Sequence, residues 1–100
     1  MSILNKDIII DYLKQHKREL AKRYSIVKLG LFGSFATQSS GLESDIDIAY
    51  ETSSRGLSFS QLLELEDELH RVFGKNIDLV NLKYMNPLIK RKALRDIIYV

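Results

Sequence analysis

The chain contains no cysteine. Neither a disulfide framework nor a thiolate-bound zinc is therefore available to it, and nothing points to an oxidising compartment. Long apolar runs are missing too. The opening stretch MSILNKDIIIDYLKQHK is broken by Asn5, Lys6 and Asp7, and no run approaches a membrane span or a signal-peptide core. The expectation is a cytoplasmic protein with no membrane partner. Charge of one sign is scarce, the formal net charge being +2. Lys14, Lys17, Arg18, Lys22 and Arg23 cluster early and Lys90, Arg91, Lys92 and Arg95 late, which reads most simply as solvated helix faces, the last group complementing a helix dipole. No signature of an RRM, KH or helix-turn-helix module is present, so sequence-specific nucleic-acid recognition is not expected.

What remains is 100 residues with 45% hydrophobic composition, enough for one core and too little for two. A single domain over residues 1–100 follows. Apolar residues recur near a 3.6 period at Ile9, Tyr12, Leu13, Leu20 and Tyr24, which predicts an amphipathic helix over about residues 5–23. His16 falls on that stripe, but no second His stands at ligand spacing, so it reads as a packed or hydrogen-bonded residue. Residues 26–32 are apolar and β-compatible. Residues 38–43 are Ser/Gly-rich and predict a mobile loop, and residues 52–56 an exposed turn close enough in sequence to overhang a site built nearby. Ser58 and Gln61 make a capping-box pattern ahead of Leu62, Leu65, Leu69, Val72 and Phe73, a helical stripe that ends before Gly74. The acidic residues Glu64, Glu66, Asp67 and Glu68 on that helix read as its solvated face. A strand is expected over residues 76–82. Asn86 and Pro87, the only proline, mark the start of a short basic helix over residues 88–95, with a last strand over residues 97–100. The order predicts an α+β fold with α/β-like alternation, a small mixed sheet with helices mainly on one face.

The chemistry concentrates between residues 29 and 51, LGLFGSFATQSSGLESDIDIAYE. The first strand runs into Gly33-Ser34 and a segment, residues 35–38, able to form a turn of helix. A Gly there lets a ligand approach the backbone, and amides with an adjacent hydroxyl favour an anion. In Ser44-Asp45-Ile46-Asp47-Ile48 carboxylates and isoleucines alternate with the period of a strand, so Asp45 and Asp47 share one face while Ile46 and Ile48 turn to a core. Two carboxylates held that close repel by roughly 1 kcal/mol at 4 Å in water, and by more when partly buried. A divalent cation removes the penalty, and magnesium suits an oxygen-only site that it completes with water and phosphate. Asp78 is out of place in the otherwise apolar run NIDLVNL, where an acidic residue costs stability unless it is solvated, paired or ligating.

A strand, Gly-Ser, a spacer of about ten residues and a D-x-D pair on a second strand together resemble the DNA polymerase beta-like nucleotidyltransferase superfamily. The segments FGSFA and SDIDI look most like its minimal nucleotidyltransferases, the small MNT proteins often paired as antitoxins with HEPN proteins. That resemblance implies the nucleotidyltransferase fold and magnesium, with two ions, Asp45, Asp47 and Asp78 serving as catalytic metal ligands. It implies a nucleotide seat at Gly33, Ser34 and Ser44, ATP as the common donor, and transfer of AMP to a hydroxyl on a HEPN-type partner. A different class of function stays open beside it: an antitoxin that merely occludes its partner, its nucleotide site vestigial. One departure favours that alternative. Where many relatives read G-S-x-A-R-G, this chain has Thr37 and Gln38 in place of Arg-Gly. The acceptor, the donor base and the oligomeric state are not written in the sequence.

Overall fold

A computed structural model of the chain describes residues 4–39, 41 and 44–100. Helix α1, Lys6–Tyr24, starts where the Asn5 side chain accepts the Ile8 N–H at 3.0 Å, and it stops at Ser25 in the left-handed region (φ 57°). Its stripe Ile9, Ile10, Leu13, Leu20 and Tyr24 is buried. His16 is indeed a packed residue: its ring stacks on Tyr12 at 3.9 Å and its Nδ1 lies 2.9 Å from the Tyr12 carbonyl oxygen. Strand β1, Ile26–Phe32, passes into the five-residue helix α2, Gly33–Thr37. Strand β2 spans Ile46–Thr52, one residue later at each end than the pattern predicts, so Asp45 stands just ahead of it.

Helix α3, Phe59–Phe73, carries the expected capping box in full, with Ser58 and Gln61 each bonding the other's backbone N–H, and it ends at Gly74 with φ 69°. Leu65 and Leu69 are buried, but Val72 is 45% exposed and does not belong to the core stripe. Strand β3, Ile77–Asn81, a 3-10 turn at Leu82–Tyr84, helix α4, Pro87–Asp96, and the short strand β4, Ile98–Tyr99, complete the order. Asn86 caps α4 as its sequence position implies, accepting the Leu88 N–H at 2.9 Å.

The sheet runs β3-β2-β1-β4. β1 is antiparallel to both β2 and β4, whereas β2 and β3 are parallel, with α3 in the crossover between them. Period-two alternation assigns the faces. Leu29, Leu31, Ile46, Ile48, Tyr50 and Ile77 join the buried residues of α1 and α3 in one core. Their in-between neighbours Gly30, Phe32, Asp47, Ala49 and Asp78 turn to the opposite face. At Gly30 that face is closed by Ile97, whose side chain would lie 3.0 Å from any Cβ placed there.

Two expectations change. Glu68 is not part of a solvated acidic face, because it bridges α3 to α1 through a 2.7 Å contact with Arg23, which also reaches Glu19 and Glu64 at 3.5 and 3.6 Å. Three carboxylates converge on one guanidinium because α1 and α3 lie side by side, which neither helix's own pattern reveals. The turn over residues 52–56 does not overhang the acidic strand end. It follows the far end of β2, where the Ser53 N–H donates to the Ser25 carbonyl at 2.9 Å. Five strand residues, 48–52, lie between Asp47 and Ser53, which puts the two about 20 Å apart along the extended chain.

Candidate functional site

Strand pairing brings the separated carboxylates together. Asp47 lies opposite Phe32 at the end of β1 and in register with Asp78 on β3. Partners in register on adjacent strands point to the same face, so the two carboxylates project side by side. Asp45 lies two residues before Asp47 and is exposed. All three act on the electrostatics of one group: the Asp47 carboxyl is pushed up to about 6, first by burial, then by the charge of Asp78 and a hydrogen bond shared with it, and last by the charge of Asp45. Burial and like charge both disfavour the ionised form of a carboxyl in such a crowded acidic pair.

Gly33 explains why the chain turns at this point. It has φ +74°, and a Cβ added to it would sit 2.9 Å from Asp47 Cγ and closer still to the carboxylate oxygen Oδ2. The backbone of the β1–α2 turn thus rests against the Asp47 side chain, in a space that only a residue without a side chain leaves open. Ser34 follows at the start of α2, and no described residue hydrogen-bonds its hydroxyl. Ser44 is engaged locally: its Oγ accepts the Gly41 N–H at 2.8 Å, and its own N–H donates to the Gly41 carbonyl at 3.2 Å, closing a tight loop ahead of Asp45. The predicted mobility of residues 38–43 falls largely on residues 40, 42 and 43, outside the described residues.

Thr37 and Gln38 have definite local roles. The Thr37 hydroxyl reaches the Ser34 carbonyl at 3.3 Å and Ser39 Oγ at 2.7 Å, so it ties the end of α2 together. Gln38 caps α2 in the left-handed region (φ 61°) and its N–H donates to the Ser34 carbonyl. Where relatives place Gly, this chain keeps the glycine conformation without the glycine. Gln38→Gly is therefore expected to raise stability by about 0.5–1 kcal/mol, the left-handed strain relieved less the added freedom of the unfolded chain. Thermal melts would show this as a higher midpoint, and a lower one would mean that the Gln38 side chain stabilises the turn in another way.

Asp45 and Asp78 are exposed and Asp47 is half-buried, so the carboxylates stand at the surface. Three hollows of about 240, 340 and 390 Å³ dent the molecule elsewhere, and none is lined by Asp45, Asp47 or Asp78. Among the described residues no three His or acidic side chains converge into a preformed metal cage. The donor set is nonetheless the right kind for a hard divalent ion: oxygen only, like-charged, and set against a turn that has no side chain at Gly33. Asp47 and Asp78 are the pair in place to hold one, with Asp45 next to them. Lys28 and Tyr99, its ring 5.5 Å from Lys28 Nζ, lie along the same sheet face and were missed in the sequence. The period-two series Lys28, Gly30, Phe32 carried that signal.

The raised Asp47 pKa has a consequence for stability. Between its ordinary value of 3.8 and about 6, the folded chain keeps a proton that the unfolded chain has released. The contribution of Asp47 to the stability of the metal-free protein therefore falls as pH rises through that window. The loss should be on the order of 1 kcal/mol once solvent screening of a half-exposed carboxylate is counted. It is measured as wild type minus Asp47→Asn in urea titrations with EDTA present, and a difference that stays flat from pH 4 to 7 would refute it.

A small mixed sheet with a glycine-pinned turn set against strand-borne carboxylates is the architecture of a nucleotidyl-transferring protein. The family model for polymerase beta nucleotidyltransferases matches residues 8–100. The chain belongs to that family and is a nucleotidyltransferase. Protein adenylyltransferase MntA of Thermococcus cleftensis is 31% identical over 100 residues, covering all of both chains. A candidate protein adenylyltransferase of Methanocaldococcus jannaschii is 38% identical over 94 residues, covering 92% of this chain and 94% of its own. Among solved structures, a candidate minimal nucleotidyltransferase shares the fold at TM-score 0.79 and 20% identity, with 98% of each chain covered. A toxin-antitoxin complex with AMP-PNP matches at TM-score 0.70 and 24% identity, over 96% of this chain and 72% of that one. A tri-AMPylated Shewanella oneidensis HEPN toxin in complex with its MNT antitoxin matches at TM-score 0.61 and 22% identity, over 95% and 67%. These likenesses carry the fold. Among the described residues no helix is long and apolar enough to cross a membrane.

Proposed function

We propose that this chain, acting as one domain over residues 1–100, is a magnesium-dependent protein adenylyltransferase. On this reading it transfers AMP from ATP to a hydroxyl on a HEPN-type toxin and so serves as the antitoxin of the pair. The observation that carries the reading is the packing of the Gly33 backbone against Asp47, beside Asp78. It sets the backbone amides that open α2 directly beside a carboxylate pair, the neighbourhood a metal-bound triphosphate would need. The names of the relatives and the solved complexes support the choice of acceptor.

In this reading Asp45, Asp47 and Asp78 hold the magnesium, which when bound neutralises phosphate charge and favours an ionised acceptor oxygen. The Gly33 amide and the Ser34 hydroxyl hold the terminal phosphates so that pyrophosphate departs in line with attack. The acceptor oxygen forms a bond to the α-phosphorus as the bond from that phosphorus to pyrophosphate breaks. The hydroxyl proton passes to a carboxylate, for which Asp78, the exposed member of the pair, has the better access. Ser44 shapes the loop that delivers Asp45, and through it the ligand set.

A second reading, an antitoxin that only occludes its partner, draws on Thr37 replacing an arginine that could have met phosphate. One set of measurements separates the two. Calorimetric titration of ATP should show binding with magnesium that weakens strongly in EDTA, because clustered carboxylates repel an unneutralised triphosphate. Intact mass spectrometry of the partner after incubation with the chain, ATP and magnesium should show additions of AMP. Equal ATP affinity in both conditions would remove the metal assignment, and tight complex formation without added mass would leave only occlusion.

A further inference from the structure

The candidate carboxylates stand at the surface, on or just ahead of β2 and on the edge strand β3, and a protein acceptor must be held beside them by a surface of its own. Helix α4 has the features of that holder. None of its ten residues is buried, although it is amphipathic in composition and packs against both α2 and β1. Leu88 is 79% exposed, Ile89 58%, and Tyr84 just ahead of the helix 77%. Leu88, Arg91, Lys92 and Arg95 follow the i, i+3, i+4, i+7 spacing of one helical face. Among the described residues no carboxylate forms an ion pair with Lys90, Arg91, Lys92 or Arg95. Two basic residues of α1 are engaged, Arg23 with Glu68 and Lys17 with the Val100 carbonyl at 2.7 Å, whereas Lys14 and Arg18 form no ion pair among the described residues and lack the exposed apolar neighbours of α4.

We infer that the exposed face of α4, with Tyr84, is the docking surface for the acceptor protein, and that it receives a carboxylate-rich surface with an apolar centre. The inference rests on the proposed protein-modifying reading and adds where the acceptor binds. An apolar centre rimmed by arginines is the anatomy of a protein interface. A track for nucleic-acid phosphates would need the cations without the exposed Tyr84, Leu88 and Ile89 at the start of the same segment, which face water at a cost unless covered by apolar surface. Cations that form no ion pair among the described residues specify the sign of the occupant. Position supplies the purpose: α4 lies on α2, the segment that carries Ser34, and Ile97 just beyond α4 covers Gly30, three residues before Gly33. A protein held on α4 is therefore held beside the Gly33–Asp47 turn.

The test uses the full chain and, as acceptor, a HEPN-type toxin of the kind found in the solved toxin-antitoxin complexes. Leu88→Asp and the pair Arg91→Glu/Arg95→Glu should each raise the KM for the acceptor roughly tenfold or more, leaving kcat at saturation and the affinity for magnesium-ATP unchanged. Lys14→Glu/Arg18→Glu makes the same charge change on exposed positions of α1 and should leave the acceptor KM alone. Wild-type affinity should fall with added salt, and the charge-reversed pair should lose that dependence. Because the altered side chains are exposed, melting midpoints should stay at the wild-type value. Acceptor KM unchanged in both α4 variants would overturn the docking assignment. So would loss of binding to a labelled single-stranded RNA with acceptor KM intact, which would make α4 a nucleic-acid surface. Absence of magnesium-dependent ATP binding in the unaltered chain would instead sink the adenylyltransferase reading, and the calorimetry reads that outcome separately.

Discussion

Asp47→Asn is expected to lower AMP transfer by on the order of a thousandfold or more while raising the melting midpoint of the metal-free protein. The two effects have one origin. Asp47 is the member of the carboxylate group that is both partly buried and in register with Asp78, and its pKa of about 6 records how poorly its charge is tolerated without a cation. An amide in the same place keeps the shape and removes the charge. Repulsion with Asp78 and Asp45 ends, a gain of roughly 1 kcal/mol, or about 4–8 °C for a domain of this size. The ion and the triphosphate it neutralises then lose a ligand that acts most strongly as charge develops in transfer. Asp45→Asn should impair transfer in the same direction with a smaller rise in midpoint, since Asp45 is exposed and its charge is the last of the influences on Asp47. Activity assays and EDTA-treated melts of the same preparations decide the matter. A large loss of stability in Asp47→Asn would assign the residue to the framework of the fold instead.

Gly33→Ala should be the most damaging single-methyl change in the chain. The backbone there has φ +74°, which costs an L-residue about 1 kcal/mol, and the new methyl would occupy the position of the Asp47 carboxylate. Either the turn or Asp47 must move, for a total loss of roughly 2–3 kcal/mol and of most transfer activity. Gly56→Ala isolates the first part, because Gly56 has φ +70° and nothing within 4 Å of an added Cβ. Gly41→Ala, with open space and no positive φ, should be nearly neutral. Urea titration of the three variants gives the difference between Gly33 and Gly56 as the cost of displacing Asp47. Equal losses at those two positions would show that the turn and the carboxylate are not in contact.

Most of the secondary structure was legible because its signals are local. Asn5, Ser58 and Asn86 each bond a backbone N–H within three residues, and such caps depend on nothing beyond their own helix. The alternation of Ile46, Asp47 and Ile48 is a property of one strand, and it placed the two isoleucines in the core and Asp47 on the other face. Val72 shows where this logic stops. It has the spacing of a core residue and is 45% exposed, and periodicity within one helix does not say how far the core beneath it extends.

The sequence by itself determined which residue types are present for chemistry, which helices are capped, and which strand carries two carboxylates, since each follows from bonds or periodicities spanning a few residues. Tertiary structure alone decided that Asp78 stands beside Asp47, that Gly33 leans on it, that Glu68 meets Arg23, and that the turn after β2 lies far from the acidic end. Strand order and register set those meetings. They are the outcome of burying Leu29, Leu31, Ile46, Ile48 and Ile77 together under α1 and α3, a choice made by the whole core at once and by no segment of it.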